Sequence, residues 1–100
     1  MNDRPAELSD SERTEALNQL PGWSYDSETK ALVKSFKFSD FSEAWAFMNR
    51  AALLAEKMDH HPEWFNVYNR VDVKMTTHDA GGVTTLDRTM AVAMETFAGS

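Results

Sequence analysis

The chain has 100 residues, 42% of them hydrophobic, with 16 acids against 10 bases, a net charge of −6 and no cysteine. That length supports one domain with one modest core, and the hydrophobic content argues against disorder. The missing cysteines exclude a disulfide framework, a thiolate nucleophile and a cysteine-based zinc site, and the thin scatter of bases argues against direct nucleic-acid binding and adhesion to anionic membranes.

Residues 1–7 are polar and are expected to form a flexible N-terminus without the apolar core of a signal peptide. No run approaches the roughly 18 apolar residues needed to span a bilayer. A soluble, cytoplasmic domain over residues 8–100 is therefore expected. Ser9-Asp10-Ser11-Glu12 has capping-box spacing, which predicts a short helix with Ala16, Leu17 and Leu20 on its apolar side, stopped by Pro21-Gly22. Residues 23–25 and 31–38 read as two strands around a polar turn, with Leu32, Phe36 and Phe38 facing one way and Ser35 and Lys37 the other.

Ser39-Asp40 opens a long helix to about Met58. Its apolar positions, from Phe41, Ala44 and Trp45 to Leu54, Ala55 and Met58, cover about 180°, whereas packing on one sheet needs a stripe of only about 100°. A neighbouring helix or a second subunit could cover the excess. Leu53, on the otherwise polar face, favours a subunit. Residues 65–76 alternate as one long strand, with Val67, Val71, Val73 and Met75 on one face and Asn69 as the exception. A loop over 77–82 follows, then a helix capped by Thr84 and carrying Leu86, Met90, Ala93 and Phe97. A further short strand is placed at 83–85. The order favours an α+β fold: an antiparallel sheet with helices packed on one face.

All three histidines fall between residues 60 and 78. Histidine is the side chain whose ordinary pKa, about 6.5, lets it give and take protons near neutrality. Each has a plain reading too. His60 and His61 stand where the long helix ends at Pro62, where they could meet its last carbonyls. His78 could be an exposed loop residue, Asp87 could complete a helix cap three residues after Thr84, Glu56 could be simply solvated, and Trp64 could belong to the core. Metal binding fits poorly, because adjacent histidines seldom aim at one ion and neither HExxH nor HxxEH occurs. No metal and no cofactor are expected. With no G-x-S-x-G elbow either, acid–base chemistry on a small molecule remains.

Glu56, His60-His61-Pro62, Tyr68, His78 and Asp87, at these intervals and with Asp59-His-His-Pro-Glu-Trp-Phe-Asn-Val-Tyr-Asn69 between them, resemble the signature of the pterin-4a-carbinolamine dehydratases over roughly residues 8–97. The resemblance implies a four-stranded antiparallel sheet with three helices on one side, in homodimers or homotetramers. It implies dehydration of 4a-hydroxytetrahydropterin to quinonoid dihydropterin, the step that recycles the cofactor of an aromatic amino acid hydroxylase. By position, His60 and His78 would be the principal acid–base residues, and His61 would bind the pterin and assist. Asp59 and Thr76-Thr77-His78-Asp79 would line the pocket, Glu56 and Asp87 would hold histidines, and Trp64 would form a wall. His60 and His78 are both expected to be partly exposed. The loop Asp79-Ala-Gly-Gly-Val83 departs from the Gly-Leu-Thr or Gly-Leu-Ser frequent in the family, and Asp79 stands where Glu is common. Rival readings are a scaffold or regulatory partner on the same fold, a dehydratase of another pterin such as one linked to molybdopterin, and a metal hydrolase.

Overall fold

The structure, a computed structural model, describes residues 5–99. Residues 1–4 of the flexible N-terminus expected over 1–7, and Ser100, lie outside the described residues. The elements run α1 (Asp10–Asn18), β1 (Ser24–Asp26), β2 (Ala31–Lys37), α2 (Phe41–Met58), β3 (Glu63–Val67), β4 (Arg70–Met75) and α3 (Thr85–Gly99), with a 3-10 turn at His78–Ala80. The four strands form one antiparallel sheet in the order β1-β2-β4-β3, and the three helices pack on one of its faces.

Local chemistry starts each helix. At α1 the Ser9 hydroxyl accepts the Glu12 amide while Glu12 takes the Ser9 amide, completing the capping box. The Ser9 amide, and then its hydroxyl, hold the Glu12 carboxyl below its ordinary range. At α2 the Asp40 carboxylate accepts the Glu43 amide.

The pleat then sorts the strand side chains. In β4, Val71, Val73 and Met75 turn to the helices, and Phe36 and Leu32 of β2 stand opposite Val71 and Met75. Ala44, Phe47, Ala51 and Ala55 of α2, with Met90, Ala91 and Met94 of α3, close the core from above. Phe47 lies 4.7 Å from Phe36 and 5.1 Å from Phe38, ring centre to ring centre.

Two strand expectations are corrected. Residues 65–76 are not one strand but the hairpin β3–β4, reversed at Tyr68-Asn69 with Tyr68 in the left-handed region (φ 51°). A two-residue turn pairs Val67 with Arg70, so side-chain parity flips across it. Val67 therefore lies on the open face and Val71 on the core face, although both are odd-numbered. Asn69 broke the alternation because it is the turn. Its side-chain amide donates to Phe38 O at 2.9 Å and moors the hairpin to the end of β2. Nor do residues 83–85 form a strand: Val83 and Thr84 are buried ahead of α3, and the Val83 carbonyl accepts the Leu8 amide at 2.8 Å. The fourth strand comes from splitting the supposed third.

The wide apolar arc of α2 is only partly covered within the chain. α3 packs alongside it, yet Phe41, Trp45 (55% exposed) and Leu53 (67%) face outward, with Phe41 and Trp45 stacked at 6.4 Å.

Leu32, fully buried between the central strand and the helices, anchors this core. Leu32→Ala is expected to lower unfolding free energy by about 2–5 kcal/mol, read by urea denaturation, with the slope of the transition unchanged.

Candidate active site

α2 ends on Asp59 in the left-handed conformation (φ 52°, ψ 44°), which aspartate tolerates better than most residues. The His60 amide reaches back to Ala55 O at 3.0 Å, a closing bond of the Schellman type, and Pro62 prevents any further turn. This exit sends the two neighbouring histidines to different places. The His60 side chain is 7% exposed, and that of His61 is 53% exposed.

Beneath the site lies Asp87, in the first turn of α3, with no exposed surface. Its Oδ1 is 2.6 Å from His60 Nε2. Its Oδ2 accepts the Thr77 hydroxyl at 2.8 Å and the Thr84 amide at 2.9 Å. A carboxylate without water needs such donors. Among the described residues no buried side-chain nitrogen or oxygen lacks a hydrogen-bond partner. Asp87 thus meets the head of α3 through one oxygen and His60 through the other.

The other two histidines have exposed partners. His61 Nε2 lies 2.6 Å from Glu56 Oε1, and His78 Nε2 lies 3.3 Å from Glu63 Oε2. His78 opens the 3-10 turn beyond β4, and Gly81 ends that turn at φ 77°, a left-handed position that suits glycine. The loop whose sequence departs from the family pattern is pinned by mutual bonds between Thr77 and Gly82.

Asp59, His60, His61, Thr76, Thr77, His78 and Asp79 line a single open cleft of about 270 Å³. That is just under the roughly 300 Å³ at which small-ligand sites usually begin. Asp87 supports it from below, and Glu56 reaches it through His61. Trp64 is not among the lining residues; half-buried, it packs against the core. The expected partial exposure holds for His78, 82% exposed, but not for His60, which the Asp87 pairing draws inward. Sequence reasoning missed Glu63 and Thr84 as parts of the site. Glu63 is brought to His78 by the β3–β4 register, which was invisible while the hairpin read as one strand. A larger groove of about 550 Å³ crosses the sheet past Val33, Phe65 and Asp72, but it holds no histidine, and its Asp72 is already bonded to Ser35 at 2.7 Å.

Chemically, the cleft combines one buried imidazole held through Nε2 with two exposed imidazoles, each beside a carboxylate. Such groups can deliver one proton and remove another without a nucleophile.

A family model described as pterin 4 alpha carbinolamine dehydratase matches residues 6–97. A relative from Novosphingobium aromaticivorans, provisionally named as such a dehydratase, is 59% identical over 92 residues, 92% of this chain and 96% of its own. One from Rhizorhabdus wittichii, named in the same way, is 58% identical over 91 residues, 91% of this chain and 94% of its own. A solved structure from Brucella melitensis, described as a transcriptional coactivator/pterin dehydratase, superposes with a TM-score of 0.91 at 56% identity, covering 93% of this chain and 99% of the other. A pterin dehydratase-like protein described as a RuBisCO assembly factor in the alpha-carboxysome matches at 0.68 and 22% identity, over 79% of this chain and 92% of its own, a likeness of fold alone.

The burial contrast between the two closest carboxylate–histidine pairs predicts unequal stability effects. Asp87→Ala, which strands three donors, is expected to cost roughly 3–5 kcal/mol in chemical denaturation. Glu56→Ala, in an exposed pair, should stay within about 1 kcal/mol of the parent.

Proposed function

The chain belongs to the pterin 4 alpha carbinolamine dehydratase family, and from that premise we propose that it dehydrates 4a-hydroxytetrahydropterin to quinonoid dihydropterin by histidine acid–base catalysis. The observation that carries this reading is the buried His60–Asp87 pair beneath a cleft shared with His61 and His78.

The reaction needs two proton movements that cancel. The bond from carbon 4a to its hydroxyl breaks as that oxygen gains a proton and leaves as water. The neighbouring ring nitrogen loses its proton as its electron pair forms the new double bond to carbon 4a. His60, committed to Asp87 through Nε2, has Nδ1 left to exchange a proton with the substrate. His78, exposed in the same cleft and paired with Glu63, would serve as its counterpart. His61, braced by Glu56, orients the pterin and assists. Asp59, Thr76 and Asp79 complete the polar lining that matches the donor and acceptor edge of a pterin. Each acid or base role typically contributes about 10²–10⁴-fold, so the pair accounts for a useful acceleration without a cofactor. The physiological setting of this reading is pterin recycling beside an aromatic amino acid hydroxylase in the cytoplasm.

One feature favours a second property. The exposed Phe41–Trp45 stack and Leu53 leave α2 with more apolar surface than a lone domain needs, which supports a homodimer or homotetramer. The same surface suits the scaffold reading, which would not need the histidines.

Stopped-flow absorbance of 4a-hydroxytetrahydropterin breakdown tests the chemistry. Purified, chelator-treated protein should accelerate it. His78→Ala should lose about 10²-fold or more with little change in stability, since its side chain is exposed. A folded His60→Ala/His78→Ala double variant that keeps full activity would sink the assignment. Light scattering checks the assembly: a mass at a multiple of the 11.3 kDa chain is expected, and a monomer would remove the oligomer.

A further inference from the structure

We infer that Thr77 and Thr84 are positioning residues which together fix the free nitrogen of His60, and that the Thr77 side chain supports the cleft from behind and does not bind substrate. Proton counting gives the direction of every bond. A threonine hydroxyl has one proton to donate. Thr77 gives its proton to Asp87 Oδ2 at 2.8 Å, so in its 2.8 Å contact with Thr84 the Thr84 hydroxyl must be the donor. Thr84 Oγ1 in turn accepts the Leu86 amide at 3.2 Å. The chain from Leu86 through Thr84 and Thr77 to Asp87 therefore runs one way. The Thr84 amide adds a second donor on the same carboxylate oxygen. Two donors on Oδ2 suit an ionised carboxylate, so the proton in the 2.6 Å contact on Oδ1 belongs to His60 Nε2. Nδ1 is then the nitrogen that faces chemistry.

Thr77 has no proton left to offer a ligand. It is 3% exposed, its amide donates to Gly82 O at 2.9 Å, and its carbonyl accepts the Ala80 and Gly82 amides. It borders the cleft, but all its protons point away from it.

The activity arm of the test rests on the dehydratase reading; the spectroscopic arm does not. Nitrogen-15 NMR of the wild-type protein should show His60 protonated on Nε2. Isosteric Thr77→Val should mix the His60 tautomers and lower kcat about tenfold or more with KM unchanged, the effect of losing one bond to a charged group. Thr77→Ser, which restores the hydroxyl, should recover most of that loss. Thr84→Val should act in the same direction but more weakly, because its backbone amide still reaches Asp87. Wild-type His60 protonated on Nδ1, or Thr77→Val raising KM at constant kcat, would overturn the assignment. The wild-type tautomer requires no substitution, so a Thr77→Val that fails to fold still leaves it decided. Wild-type protein without dehydratase activity but with the Nε2 tautomer would refute the catalytic reading alone.

Discussion

A carboxylate sealed from water must be met by donors on both oxygens, and this requirement at Asp87 organises the site. To satisfy it, the start of α3, the end of β4 and the exit of α2 must converge, supplying the Thr84 amide, the Thr77 hydroxyl and the His60 ring. Removing charge from water costs several kcal/mol unless pairing is complete, so these three segments are held in register by one atom group. The exposed pairs, His61 with Glu56 and His78 with Glu63, carry no such constraint. They can adjust to a ligand while His60 stays fixed.

α2 serves two ends with different chemistry. Its last turn and left-handed exit at Asp59 deliver His60 and His61, while its first turns present Phe41 and Trp45 to the outside. The eighteen-residue helix is about 27 Å from end to end. The outward Phe41–Trp45 pair and the histidines therefore lie at opposite ends of one helix. The low-identity likeness to a protein described as a RuBisCO assembly factor shows that this fold occurs in such a protein; it does not bear on this cleft.

What could be read from the sequence followed what is local. Ser9 and Glu12 signal α1 and Asp40 signals α2, while the intervals from Glu56 to Asp87 point to the histidine cleft through their resemblance to a family signature, with Pro62 marking the end of α2. The β3–β4 hairpin was hidden because Tyr68-Asn69 lacks the glycine that usually marks a two-residue turn, and alternation continues on either side of it. Losing the hairpin also lost Glu63, whose place beside His78 depends on strand register. The depth of His60 was equally illegible: adjacent histidines look alike until the turn at Asp59 separates their directions. For Asp87, the choice between cap and histidine partner was a false one, since a carboxylate has two oxygens.

That double duty has a dynamic consequence. The Thr84 amide that closes the head of α3 is also a ligand of the carboxylate behind His60. Fraying of that helical turn removes one of the two donors on Oδ2, and so loosens the carboxylate whose other oxygen holds the imidazole. Helix ends usually open at far lower free energy than the rest of a fold. Here that opening also withdraws a donor from the buried carboxylate, so exchange of the Thr84 amide proton would report on the support behind His60.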